Sequence, residues 1–261
     1  MSDPAALYAV SEHIATVTLN RPAAANAVNA ELATIVGESL EQADHDPDVR
    51  AVVLTAAGER HFCAGADLKE VAAGRAILPS NPAWGFAGVG RHTVRKPLLA
   101  AVNGVALGGG TEIALACDLV VAAAHATFGL PEVKRGILAG AGGLVRLPMQ
   151  VPLKIALELA LTGEPIDAAT AERWGLVNRV VPTGQELDAA VALAATIAGN
   201  APLSVQASKR VVCRIAGGEQ VDERDGWAIQ ADALAAVLAS EDAREGPRAF
   251  VEKRAPNWTG R

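Results

Sequence analysis

Glu112 and Glu132 lie twenty residues apart, each at the start of a short helical or turn segment and each bracketed by small or apolar residues. A carboxylate in such surroundings is costly unless it is paired, hydrogen-bonded or held neutral. Two such acids facing each other across a pocket share a water: one has its pKa raised and acts as acid while the other stays charged and acts as base. Separate salt bridges or helix caps for each are the alternative. Glu112 also follows the triplet Gly108-Gly109-Gly110 after a single intervening residue. Glycines in such a run mark backbone that takes unusual angles or approaches something closely, here at a strand-to-helix corner. The first turn of that helix presents free N–H groups and the positive end of the dipole. Ala64-Gly65-Ala66-Asp67 reads as a second corner of this kind. With the N–H groups of Ala64 and Gly109 aimed at one oxygen, the two corners form an oxyanion hole, whose donors act on charge that develops in the transition state. Tight packing is the alternative reading of both.

Other site chemistries fail on spacing. For a dinucleotide fingerprint the third glycine falls on Ile113 when counted from Gly108 and on Val145 when counted from Gly140. Neither a phosphate-binding Gly-Lys-Ser/Thr loop nor a serine nucleophile elbow is present. The five histidines are scattered, and His61, Cys63 and Asp67 lack the spacing of a metal site, so no metal is expected. The chain has 261 residues, 51% hydrophobic, 20% charged and 3% aromatic, with a net charge of −6. That composition describes a globular core built from Ala, Val and Leu and argues against nucleic-acid binding, which needs a basic face. Three widely spaced cysteines fit a reducing compartment. The N-terminus lacks a signal-peptide pattern and no apolar run reaches bilayer-spanning length, so a soluble cytoplasmic protein without a membrane partner is expected.

The elements that must position these residues follow from periodicity. Ala6 to Val10 and Ile14 to Leu19 read as an opening hairpin. Asn29 is an N-cap for a helix carrying Leu32, Ile35, Val36 and Leu40 on one face. Arg50 to Ala56 is a buried strand, and a helix starts near Leu68. The segment Gly74 to Gly90 is a loop whose Trp84 and Phe86 line a pocket or pack ordinarily. Leu98 to Val102 is a strand leading into the glycine triplet, and Leu119 to Ala123 is another. Beyond a tight turn at Pro131 to Gly136 the chain is mostly helical: Leu144 to Gln150, Pro152 to Leu161 and Ala168 to Trp174, a short strand Val177 to Val181, then helices to the end.

Phe62-Cys63-Ala64-Gly65-Ala66-Asp67-Leu68-Lys69, Asn103-Gly104, Gly108 through Glu112, Leu130-Pro131-Glu132 and Gly140-Ala141-Gly142-Gly143 resemble, in order and spacing, the crotonase (enoyl-CoA hydratase/isomerase) superfamily. The resemblance runs from Asn20-Arg21-Pro22 with Asn26 to Phe250-Val251-Glu252-Lys253-Arg254. Gly85-Phe86-Ala87-Gly88, Leu144 to Pro148, Arg173 to Val181 and the tail from Ser240 to Arg261 look like its carnitinyl-CoA dehydratase/enoyl-CoA hydratase branch. It implies an α/β fold, a spiral of β-β-α units over 1–198 that holds the active site, and a helical C-terminal trimerisation region over 199–261. It also implies a homotrimer or a hexamer of two trimers. The substrate it implies is an acyl-CoA thioester, with no separate cofactor because CoA is part of the substrate. On the matching positions Glu112 and Glu132 are the catalytic acids, and Ala64 and Gly109 give the oxyanion N–H groups. Substrate contacts fall on Ala24, Ala64, Gly65, Ala66, Asp67, Leu68, Lys69 and Gly109, with Trp84, Phe86 and Leu138 at the acyl group. Phe250 and Lys253 approach the CoA of a neighbouring subunit. Retention of both acids resembles the hydratases, which add water reversibly to a 2-enoyl thioester. An enoyl-CoA isomerase, a carnitinyl-CoA dehydratase and a non-catalytic CoA-ester-binding protein are the other readings. Ala23 stands where many relatives have a lysine, and Ala139 where they commonly have proline.

Overall fold

A computed structural model of the chain describes residues 3–200, 202–213, 215, 216, 219, 220, 235, 238, 239 and 241–254. The opening hairpin forms as expected: β1 (Ala6–Ser11) pairs antiparallel with β2 (Ile14–Leu19) across Glu12 and His13, both at positive φ. Asn29 caps α1 (Ala30–His45), its side chain accepting from the Leu32 N–H at 2.9 Å. Three β-β units follow in succession. They are β3 (Ala51–Ala56) with β4 (His61–Cys63), β5 (Leu98–Val102) with β6 (Val105–Leu107), and β7 (Leu119–Ala123) with β8 (Thr127–Gly129). Helix α2 (Leu68–Ala72) closes the first unit, α3 (Gly109–Ala116) the second, and the 3-10 turn Pro131–Arg135 the third.

The first strand of each unit joins one sheet and the second strand joins another. The larger sheet has six strands in the order β1-β2-β3-β5-β7-β10, where β10 is Arg179–Val181; the smaller has four in the order β4-β6-β8-β9, where β9 is Ile166–Asp167. Pairing from β2 to β10 in the large sheet is parallel. Its central strands are buried on both faces, which is why they read as unbroken apolar runs. Val52, Leu54 and Ala100 pack with Leu32, Val36 and Leu40 of α1 on one face. Val53, Leu99 and Ala101 pack with Ala190 and Ala194 of α7 (Glu186–Ala198) on the other.

The strand Leu98–Val102 does not run straight into the glycine triplet as expected. Asn103-Gly104 turns the chain out of the large sheet, and β6 then delivers it to α3 from the small one. The Asn103 amide donates to the Ala56 carbonyl at 2.9 Å and to that of Gly58, fixing this crossing to the equivalent crossing after β3. A Cβ at Gly104 would lie 2.3 Å from the Arg60 carbonyl oxygen, so only glycine fits. Beyond β8 come α4 (Gly143–Gln150), α5 (Leu153–Thr162), α6 (Ala168–Arg173), α7 and α8 (Pro202–Val212). The tail departs from an all-helical run in a two-residue strand pair, Ile215–Ala216 with Glu219–Gln220, before α9 (Glu241–Val251). Helix α9 packs on the chain's own Pro131–Arg135 turn. Ser240 and Trp258 to Arg261 of the tail motif lie outside the described residues.

The closest approach at the α3 corner is Gly110, where a Cβ would sit 2.0 Å from the Cys63 carbonyl oxygen. Gly199 at the end of α7 has ordinary φ and nothing nearer than 3.5 Å. Gly110→Ala is therefore expected to destabilise by about 1–3 kcal/mol or more through forced backbone displacement. Gly199→Ala should change stability little, and paired thermal melts of the two variants check the contrast.

Candidate active site

The two corners anticipated from the sequence meet. An added Cβ at Gly65 would lie 3.2 Å from the Gly109 nitrogen, so the loop after β4 lies directly against the start of α3. The loop is braced from below by Asn26, which is fully buried at positive φ. Its amide donates to the carbonyls of Ala57 at 3.0 Å and His61 at 2.9 Å, and its Oδ1 accepts from the Arg21 N–H. Arg21 in turn pairs with Asp67 at 2.9 Å and donates to the Ala27 carbonyl. Asp67 also accepts from the N–H groups of Lys69 and Glu70, capping α2. Burial raises the pKa of Asp67, yet Arg21 and the two N–H groups outweigh it and hold the carboxyl below its ordinary value. Its work is therefore structural: it fixes where the loop ends.

One expected role is corrected by the backbone. The Ala64 N–H donates to the Ala25 carbonyl at 3.1 Å, so it is already spent inside the protein. The Gly65 N–H faces the Cys63 sulfur at 3.4 Å, and the Asp67 N–H goes to the Val28 carbonyl at 2.9 Å. Among the described residues, the N–H of this loop left without a protein acceptor is that of Ala66. Gly109, first residue of α3, keeps its N–H free for the reason that applies to every helix N-terminus. The donor pair open to a ligand is thus Ala66 and Gly109 rather than Ala64 and Gly109.

Both acids are brought to the same place. Gly108, at φ +56°, is where a Cβ would stand 2.7 Å from Oε1 of Glu132, so the first glycine of the triplet makes room for the second acid. Glu112 is 3% exposed and its Oε1 accepts from the N–H groups of Ala141 at 2.7 Å and Gly143 at 2.8 Å. A Cβ on Gly143 would lie 2.9 Å from Cγ of Glu112, which accounts for the small-residue run before α4. Burial pushes the Glu112 pKa up to about 7, against the two N–H groups and the nearby Arg146 charge, which pull it down. Burial and then the charge of Glu112 push Glu132 further, to about 8. Oε2 of Glu132 is buried without a hydrogen-bond partner, so no donor there offsets the cost of burying a charge. Glu112, with its donors, is the better home for the charge; Glu132 is the better home for the proton.

The remaining expected contacts divide. Phe86 reaches the site: a Cβ on Gly109 would lie 2.4 Å from its ring. Trp84 does not share that position, because its indole lies over Gly37 of α1 and stacks on His92 at 5.3 Å between centroids. Leu138 and Glu132 line one cavity of about 360 Å³. Ala24 lies half-buried in the 3-10 turn before Ala25, next to the loop that carries Ala64. Leu68 is half-buried and Lys69 exposed at the start of α2. Phe250 is half-exposed on α9, with the Arg135 guanidinium 4.9 Å from its ring centroid, and Lys253 is exposed just beyond. Among the described residues, no group of three or more His, Cys, Asp or Glu side chains is arranged to hold a metal, and no helix is long and apolar enough to cross a membrane.

The chain and its fold have known relatives. The description enoyl-CoA hydratase/isomerase matches residues 9–261. The carnitinyl-CoA dehydratase of Proteus mirabilis is 42% identical over 250 residues, covering 94% of each chain. A crystal structure of carnitinyl-CoA hydratase from Mycobacterium avium superposes with a TM-score of 0.98 at 53% identity and 100% coverage of both chains. An enoyl-CoA hydratase from Mycobacterium tuberculosis gives 0.78 at 44% identity, covering 99% of this chain and 100% of its own.

The raised acids have a cost in stability with a definite sign. Below an ordinary carboxyl pKa of 4.5 both are protonated folded or unfolded. As pH rises from there toward about 8, the unfolded chain releases protons that the folded chain retains, so stability falls. Glu132→Gln removes the larger share of that loss. The melting temperature of the variant minus that of the parent is expected to be greater near pH 8.5 than near pH 5, as read by calorimetry. A difference independent of pH would mean Glu132 has an ordinary pKa.

Proposed function

This chain belongs to the enoyl-CoA hydratase/isomerase family, and from that premise we propose that it is a hydro-lyase adding water reversibly to a 2-enoyl-CoA thioester. The observation that carries the reading is the pair of buried acids with unequal demands on one proton, next to two unspent backbone N–H groups. The thioester carbonyl oxygen takes the N–H groups of Ala66 and Gly109. A water lies between the two carboxyls. Glu112 removes a proton from that water as its oxygen bonds to Cβ. The π electrons move toward the carbonyl, and the resulting enolate oxygen is where the two N–H groups gain most. Glu132 then delivers its proton to Cα, and both new bonds form on the face the acids occupy, giving syn addition. After the step Glu112 carries the proton and Glu132 the charge, so exchange between them restores the starting state. Dehydration runs the same sequence backwards. Acid, base and oxyanion donors all come from the chain, and CoA enters as part of the substrate. We extend the proposal to a cytoplasmic homotrimer or hexamer, the assembly that goes with this family.

Glu112→Gln and Glu132→Gln are each expected to lower turnover by orders of magnitude while leaving CoA-ester binding nearly unchanged. The parent enzyme should show a bell-shaped dependence of kcat/KM on pH. It falls below about 7 as Glu112 takes up a proton and above about 8 as Glu132 loses its own. Hydration is followed by loss of the enoyl absorbance with incorporation of labelled water. Double-bond migration without label would make the protein an isomerase, and full activity in both variants would remove the two-acid mechanism.

A further inference from the structure

Resting on the hydro-lyase reading, we propose that Arg146 is a positioning residue of the reaction: its guanidinium, set beside Glu112 by α4, keeps the negative charge of the acid pair on Glu112 and so fixes which acid is the base. The geometry comes from one face of α4. Gly143 meets Glu112 at one end of that face, its N–H donating to Oε1 at 2.8 Å. At the other end the Gln150 side chain donates to the Leu115 carbonyl of α3 at 3.0 Å. Arg146 stands between them in the same helical stripe, so its side chain starts out along α3. Leu144, Leu147 and Pro148 occupy a different side of α4 and line the apolar cavity. Nη1 of Arg146 is buried, so water and salt screen its charge little. That charge reaches Glu112 near the start of α3 and the Cys117 thiol at its end.

The other groups around α3 do not supply this charge. Besides α4, the elements packed on α3 are β4, β6, β8 and the turn Phe86–Gly88. β6, β8 and that turn carry no ionisable side chain. β4 brings His61, opposite Val105, and Cys63, whose thiol burial pushes up to about 12 and so keeps neutral. Asp118 and Lys209 pair with each other at 2.6 Å beyond the far end of α3. Glu132 adds a second acid, and the charge pressing on it is that of Glu112. Arg146 thus favours charge on Glu112, and that charge in turn keeps the proton on Glu132. The N–H groups of Ala141 and Gly143 hold Oε1 by contact, whereas the guanidinium acts through space on the whole carboxylate. The same preference favours the exchange that resets the pair after each turnover.

Four variants of the full-length protein test this. Arg146→Gln and Arg146→Met remove the charge, Arg146→Lys keeps it, and Gln150→Leu removes the neighbouring hydrogen bond to α3 while leaving every charge in place. In each, the Glu112 carboxyl is titrated by carbon-13 NMR and kcat/KM for hydration of crotonyl-CoA is measured across pH. The neutral variants are expected to raise the Glu112 titration and the acid limb together, from about 7 by about half a unit or more. That lowers kcat/KM about threefold or more near pH 6 and less near pH 8. Arg146→Lys and Gln150→Leu should leave both near 7. The inference is overturned by an unmoved Glu112 titration in the neutral variants, by an equal loss of kcat/KM at every pH, or by a Gln150→Leu shift as large as theirs. Each of these would make Arg146 a packing residue. Should neither neutral variant fold, Arg146→Lys decides: a limb still near 7 sustains the inference and a limb moved upward overturns it. If the titration moves as expected but the parent hydrates no enoyl thioester, the hydro-lyase reading falls and the arginine's hold on the charge stands.

Discussion

Two carboxyl groups buried beside each other cannot both be charged, and much of this fold is arranged to settle which one is. Burial raises the pKa of both. The asymmetry comes from the loop before α4, which spends the Ala141 and Gly143 N–H groups on Oε1 of Glu112 and none on Oε2 of Glu132. Those donors belong to backbone, held by the start of a helix, so they reorganise little when charge moves. The carboxylate that stays charged therefore has two fixed partners from the loop before α4, whereas on the other Oε2 has none and the Glu132 backbone N–H is the one donor offsetting burial. The cost is folding stability above the ordinary carboxyl range, consistent with a site selected for reactivity over stability.

The glycine triplet is where that arrangement meets the rest of the protein. Each of its three members faces a different neighbour: Glu132 for Gly108, the Phe86 ring for Gly109 and the Cys63 carbonyl for Gly110. A side chain at any of them would separate the acid pair, the loop after β4 or the aromatic loop from the α3 terminus. This is why the chain leaves the large sheet after β5 and approaches α3 through the short strand β6. The detour sets the N-terminus of α3 against the loop braced by Asn26 and Asp67, so the free N–H groups of Ala66 and Gly109, from distant parts of the chain, lie on adjoining corners.

Much of this was legible in the sequence. The hairpin, the Asn29 cap and the central strands follow from local pattern, because their environments are written within a few residues of themselves; Glu112 and Glu132 stand out as carboxylates among small and apolar residues, but their meeting does not. Other features depend on contacts across the fold and leave no local trace. Val105–Leu107 is too short to read as a strand apart from the one preceding it. Ala64 and Ala66 are alike as residues; which N–H is free is decided by the Ala25 carbonyl, on another segment, taking that of Ala64. A tryptophan in a Gly- and Pro-rich loop signals packing without saying against what, and Trp84 went to α1. The run Gly140 to Gly143 signalled close approach but not that its N–H groups would hold Glu112.

The central claim is that one proton is shared unequally between Glu112 and Glu132 near neutral pH. Carbon-13 NMR of the side-chain carboxyls in glutamate-labelled protein, with the two resonances assigned through the Gln variants, reads it directly. The account predicts that Glu112 titrates near 7 and Glu132 near 8, so that between these values one resonance is ionised and the other still protonated. Two resonances that both titrate in the ordinary carboxyl range would contradict it.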